Sequence, residues 1–300
     1  MNTESPRVSI GMPVYNGEHY VEGAISSILA QTYQDFTFII SDNGSTDRTR
    51  AICESYAAQD SRIQYHRYEQ NRGASWNFNN AFKLSTTKYF KWACHDDLIA
   101  PTMVEQCVEV LERELEVILA YPQARIIDEH GETIGIWSDN LELRSPYPHK
   151  RLHQYLRNKS RNEALYGVMR ARALEKTGLL RPVAYCDQML MAELAMIGQF
   201  RELPEPTFMK RFHAGISTEV YSQQAYRAFF DPKLKGKASL PRVERLLEFV
   251  RRINHVPMLR SERLKCYAEL RVLVGNPSNL SHMIEDLRVA GATLIRRNVE

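Results

Sequence analysis

The sequence predicts an α/β fold, a mostly parallel central sheet flanked by helices, followed by a helical C-terminal extension. Three observations carry that expectation. Strand-like and helix-like patterns alternate through the first hundred residues, polar turn clusters close successive strands, and from about residue 216 the chain turns helical and basic.

Val8, Ile10, Met12 and Val14 alternate at period 2, the mark of a strand. Val21, Ala24, Ile25, Ile28 and Leu29 then recur at helical spacing, and the apolar run 36–40 reads as a buried strand. That is a βαβ unit, and it repeats in kind: a turn cluster at 41–47, a helix over 48–58, a strand over 63–68, a helix over 76–84 and the strand-like KYFKWA. Parallel sheets bind ligands at the carboxyl ends of their strands. Three loops fall there: Tyr15-Asn16-Gly17, Ser41-Asp42-Asn43-Gly44 and His95-Asp96-Asp97.

A helix is expected near 102–115, then shorter pieces (VILAY, RIID, ETIGIW) that suit a hairpin or mixed sheet. Residues 138–162, polar and with two prolines, read as a loop or an acceptor-side flap. Helices follow near 240–253, 258–274 and 279–290. The expected units are 1–215, divided into 1–97 and 98–215, and a helical region over 216–300.

The 300 residues are 44% hydrophobic and 25% charged, enough to bury a large core and too apolar for disorder. With no run of about 18 apolar residues and no apolar core of a signal peptide, the reading is cytoplasmic. Five scattered cysteines, none in a C-x-x-C pair, suit a reducing compartment and argue against zinc. Net charge is only +3, yet residues 233–300 hold 14 Lys/Arg against 7 Asp/Glu. Such a segment is either a solvated helical face or a surface for an anionic membrane or acidic partner.

No G-x-G-x-x-G follows the first strand, and neither a P-loop nor a G-x-S-x-G elbow occurs. What remains is the carboxylate pair Asp96-Asp97 after a buried strand. Hard divalent cations are held by one or two carboxylates plus substrate phosphates, whereas aspartate before a helix that begins near proline is also a capping residue. Spacing alone leaves both open.

Four ordered blocks, VSIGMPVYNGEHYVEGAISSILAQTY, FTFIISDNGSTDRT, NRGASWNFNNAF and KWACHDDLIAP, closely resemble the family 2 glycosyltransferases, enzymes of the GT-A fold. The match is continuous over the first hundred residues and continues more weakly to His213. It implies a nucleotide-diphosphate-sugar donor, UDP being the family's commonest choice, with Mn²⁺ or Mg²⁺ as cofactor. It places Pro13, Val14 and Tyr15 around base and ribose, Asp42 on the base and Arg72 near base and phosphates. Asp96 matches the acid that touches ribose or sugar, and Asp97 the one that coordinates the cation. Cys94 stands where relatives often carry a further Asp. Asp187 resembles the catalytic base, with Cys186 where a Glu usually precedes it, and His213 matches a histidine that completes the metal or diphosphate site.

Each of these has a plainer alternative. Asp42 in Asp-Asn-Gly suits an Asx-turn, Arg72 a solvated surface, Asp187 an N-cap before an apolar helical run, and His213 a structural role. The resemblance further implies an inverting displacement onto a glycan or lipid-linked saccharide acceptor, in cell-surface polysaccharide synthesis. No Gln-x-x-Arg-Trp segment occurs, which argues against a processive synthase. A sugar-nucleotide-binding homologue without activity and, less favoured for want of a Gly-rich basic loop, a nucleotidyltransferase complete the expectations.

Overall fold

The computed structural model describes residues 6–158, 160–183, 185–214, 228–235 and 241–274. Period-2 apolar patterning gives β1 (Val8–Val14), buried along its whole length, and the apolar run gives β2 (Phe36–Asp42). Between them α1 (Val21–Leu29) turns Val21, Ala24, Ile25 and Ile28 inward. Then come α2 (Thr49–Gln59), β3 (Ile63–Arg67), α3 (Ala74–Lys83) and β4 (Tyr89–Trp92).

β1 pairs in parallel with β2, Val8 opposite Phe36, and with β4, Val8 opposite Tyr89; β2 pairs in parallel with β3. The chain therefore builds β1, β2 and β3 outward, then returns to the other side of β1. That reversal leaves a crevice at the carboxyl ends of β1 and β4, where open α/β sheets bind ligands.

The second half is mixed. β5 (Leu98–Ile99) and α4 (Met103–Arg113) lead into β6 (Val117–Ile127), one strand where the sequence suggested two pieces, hairpinned to β7 (Thr133–Trp137). β8 (Val168–Arg170) runs antiparallel between β4 and β6. β9 (Gln199–Arg211) runs parallel to β6 and antiparallel to β5, with Leu98 opposite Met209. This register carries Lys210 and Arg211 to the residues before β5, Asp96 and Asp97.

The polar stretch expected as a loop contains a helix, α5 (Pro148–Arg157). Proline at its first turn is compatible with a helix start, but its inward stripe holds only Leu152, Tyr155 and a buried arginine, so hydrophobic periodicity is faint. Arg151 donates to the carbonyls of Ala195 at 2.6 Å and Met196 at 2.9 Å, the free carbonyl end of α7 (Cys186–Ile197). A four-residue helix, α6 (Ala171–Leu174), follows β8.

α7 is apolar nearly all round and sits inside a cluster shared with Leu152, Phe90 and Trp92. The same cluster takes in Phe249 and Ile253 of α8 (Pro241–His255) and Cys266 of α9 (Arg260–Glu269). The short α10 (Arg271–Val274) ends the described chain. Glu193, fully buried on α7, pairs with Arg252, which also reaches Glu248 at 3.1 Å. A second apolar cluster fills the opposite face of the sheet, from α1 and α4. The expected boundary near 216 and the helix expected over 279–290 lie outside the described residues. All five cysteines are free, and among the described residues no helix is long and apolar enough to cross a membrane.

Candidate active site

A cleft of about 1550 Å³ opens at the switch between β1 and β4. Pro13 and Val14, at the end of β1, and Tyr15 after it form one wall, with Tyr15 41% exposed. The loops after β1 and β2 are laced together. Asn16 N donates to Ser45 Oγ at 3.0 Å, Gly17 N to Thr49 Oγ1 at 2.8 Å, and Thr46 N to Asn16 Oδ1 at 2.9 Å. Gly17 is packed against His95: a Cβ there would stand 2.5 Å from the imidazole. This fits His95 as a packing residue.

Asparagines to which the sequence reading gave no role shape the floor. Asn43 Nδ2 donates to Asn71 Oδ1 at 2.9 Å, and Asn77 Nδ2 to the Ser41 carbonyl at 2.9 Å; all three asparagines border the cleft. Gly73, at φ 88°, lies against the Phe230 carbonyl, 2.4 Å from where a Cβ would sit. Only glycine suits both conditions, and they bring the turn 228–230 over this end of the cleft.

Asp42 does not border the cleft. It is fully buried, its Oδ1 accepting from Ser45 N at 2.8 Å and its Oδ2 from the Tyr65 hydroxyl at 2.6 Å. The bond to the backbone three residues on holds the loop, and Asn43, its neighbour, faces the cleft instead. Arg72 is exposed, with its guanidinium 4.6 Å above the Trp76 ring, and is not among the lining residues.

Asp96, His213 and Lys210 all border the cleft. Asp96 Oδ2 and His213 Nε2 lie 3.1 Å apart. Burial opposes ionisation of Asp96, but the His213 hydrogen bond with the charges of His95 and Lys210 outweighs it and holds the carboxyl below its ordinary range. Asp97 is turned inward, its Oδ2 3.1 Å from Lys210 Nζ and its Oδ1 accepting from Arg211 N at 2.9 Å. Burial lowers the Lys210 ammonium, yet the carboxylates of Asp97 and Asp96 more than compensate and hold it above its ordinary range.

The donor atoms of Cys94, Asp96 and Asp97 lie within 4.8 Å of one another. Burial raises the Cys94 thiol well above its ordinary range, so it remains a neutral, soft donor of little use to a hard cation. The carboxylate of Asp96 and the imidazole of His213, side by side on the cleft wall, fit a divalent ion such as Mn²⁺ or Mg²⁺. Asp97 would join them only by releasing Lys210.

Asp187 lies in the first turn of α7 and borders the same cleft. Burial raises its pKa, opposed by a hydrogen bond from Asn162 Nδ2 to Oδ2 at 2.9 Å. Tyr185 before it is held at φ 60°.

The family 2 glycosyl transferase profile matches residues 9–178. The chain belongs to glycosyl transferase family 2. It is 37% identical over 134 residues to an uncharacterized glycosyltransferase of Rickettsia typhi, covering 44% of this chain and 41% of that protein. This chain thus spans about two-fifths of that relative. Among solved structures it resembles S. aureus TarS 1–349 in complex with UDP-GlcNAc, with TM-score 0.59, 15% identity, and 97% and 92% of the two chains covered. It also resembles a Pyrobaculum calidifontis mannosyltransferase in complex with GDP-Man and Mn²⁺, with TM-score 0.54, 17% identity, and 97% and 76% covered. At these identities the likeness shows the fold, which is GT-A.

Proposed function

We propose that this family 2 member transfers a single sugar from a nucleotide-diphosphate sugar, UDP being the first choice of carrier, to a hydroxyl of a glycan or lipid-linked saccharide in cell-surface polysaccharide synthesis. The observation that carries the reading is one cleft bordered both by Asp96 with His213 and by a buried carboxylate, Asp187, at the start of a helix.

Pro13, Val14 and Tyr15 receive the base and ribose, with Asn43 on the floor and Asp42 holding the loop that presents it. Arg72 stays near the nucleotide end. Asp96 and His213, with Asp97 behind them paired to Lys210, would hold Mn²⁺ or Mg²⁺, which would supply positive charge beside the diphosphate. Asp187 takes the acceptor hydroxyl's proton as that oxygen bonds to the anomeric carbon. The bond from that carbon to the diphosphate breaks, its electron pair leaving on the phosphate oxygen. One displacement inverts the centre. The raised pKa of Asp187 strengthens it as a base.

The protein acts at the cytoplasmic face, where the basic residues over 233–300 favour peripheral contact with an anionic membrane. One observation favours a binding protein without activity instead: cysteines at 94 and 186 where relatives often carry acids.

The test is release of nucleoside diphosphate from a panel of UDP-, GDP- and dTDP-sugars with Mn²⁺, in wild type and Asp187→Asn. Turnover of one donor, lost by about 10²–10⁴ in the variant while nucleotide binding persists, supports transfer. Binding without turnover of any donor selects the inactive reading.

A further inference from the structure

Glu163 opens the 3₁₀ turn Glu163–Tyr166 between the residue that holds Asp187 and strand β8. The turn is firmly built. Ala164 N donates to Asp139 Oδ2 at 2.7 Å, and Arg161 N to Asp139 Oδ1 at 3.1 Å. Asn162, at φ 63°, accepts from the Tyr155 hydroxyl at 2.9 Å while its amide reaches Asp187. Glu163 itself borders the cleft, and among the described residues its carboxyl meets no hydrogen-bond donor. Asp96 and Asp187, the acids assigned above, each have one.

Glu163 shares the cleft wall with Lys210, which pairs with Asp97 behind Asp96, and it follows Asn162, which bonds Asp187. In the reading proposed above, the donor sugar would lie between the metal-holding residues and Asp187, within reach of this wall. Glu163 is partly exposed on the cleft wall, so its unpartnered carboxyl is open to a group that enters the cleft. Burial pushes the group up to about 8, leaving it largely neutral near pH 7, able both to donate to and accept from a hydroxyl.

We propose that Glu163 is a specificity-determining residue that hydrogen-bonds the hydroxyls of the donor sugar. The inference rests on the cleft being a nucleotide-sugar site. Two readouts would separate it from a structural role: an effect on sugar recognition without one on the nucleotide, and an unfolding midpoint that truncation leaves in place.

The test is calorimetric binding with Mn²⁺ of two probe pairs, UDP with UDP-GlcNAc and GDP with GDP-mannose, to wild type, Glu163→Ala and Glu163→Gln. For the pair that wild type binds, the ratio of the sugar nucleotide's Kd to that of its diphosphate should rise about tenfold in Glu163→Ala, as for one or two lost hydrogen bonds. The diphosphate's own Kd should change less than about twofold, and Glu163→Gln should recover part of the ratio. An unchanged ratio, or equal weakening of both probes, overturns the inference and leaves the nucleotide-sugar reading standing. If wild type binds neither pair, that reading fails and the inference falls with it.

Discussion

The Asn162 side-chain amide donates to Asp187 Oδ2 at 2.9 Å, tying the turn before β8 to the first turn of α7. Because Asn162 Oδ1 is taken by the Tyr155 hydroxyl, the amide can point only one way. Burial raises the pKa of Asp187 and this hydrogen bond lowers it, burial being the larger effect.

Removing the amide in Asn162→Ala takes away a contribution that favours the ionised base, so the pKa of Asp187 rises further. The base is active when deprotonated, so the acidic limb of the kcat/KM profile moves to higher pH. A pH–rate profile checks this. A limb that stays in place or moves to lower pH would mean that Asp187 is not the titrating base.

Tyr15 is half-exposed on the cleft wall. Tyr15→Ala is expected to weaken nucleoside diphosphate binding by up to about tenfold, the range of one aromatic contact. The unfolding midpoint should hardly move. Calorimetric titration and thermal unfolding of the same sample read both.

The C-terminal helices are held by a buried charge. Arg252, on α8, pairs with the fully buried Glu193, whose carboxylate also meets His255 Nδ1 at 2.6 Å. Arg252→Met takes the guanidinium from two buried carboxylates, Glu193 and Glu248, and should cost about 3–5 kcal/mol in denaturant unfolding. Arg251→Met, an exposed position contacting Glu248, should stay within about 0.5 kcal/mol.

Arg151 closes the carbonyl end of α7. Arg151→Met leaves the carbonyls of Ala195 and Met196 without their donor and should cost about 2–3 kcal/mol. Thermal unfolding measures it.

The parallel half of the fold was legible because β1, α1 and β2 carry their apolar residues at the period of their own geometry. Asp96 and Tyr15 were legible as residues at strand ends, where such sheets expose them, whereas Asp187 came forward through the resemblance, its place before a helical run suiting an N-cap equally. Asp42 was readable only as a choice, since its inward turn depends on Tyr65, a partner supplied by β3. Arg72 was placed near the nucleotide, but its stacking on Trp76 is set by α3. α5 was hidden because a buried arginine occupies its inward face, a contact no hydrophobic period records. Glu163 carries no motif at all; its position follows from Asn162 reaching α7, 25 residues away along the chain.

Thermal unfolding of wild type and Asp96→Ala with UDP, GDP, dTDP and CDP, each with and without Mn²⁺, tests the donor site most directly. Ligand at about 100 times its Kd adds roughly 2.7 kcal/mol, a rise of about 5–10 °C in a domain of this size. One nucleotide should give that rise in wild type with Mn²⁺, and the rise should shrink sharply in Asp96→Ala. No rise with any nucleotide, or the same rise in both proteins, would contradict a metal-assisted nucleotide-sugar site at Asp96.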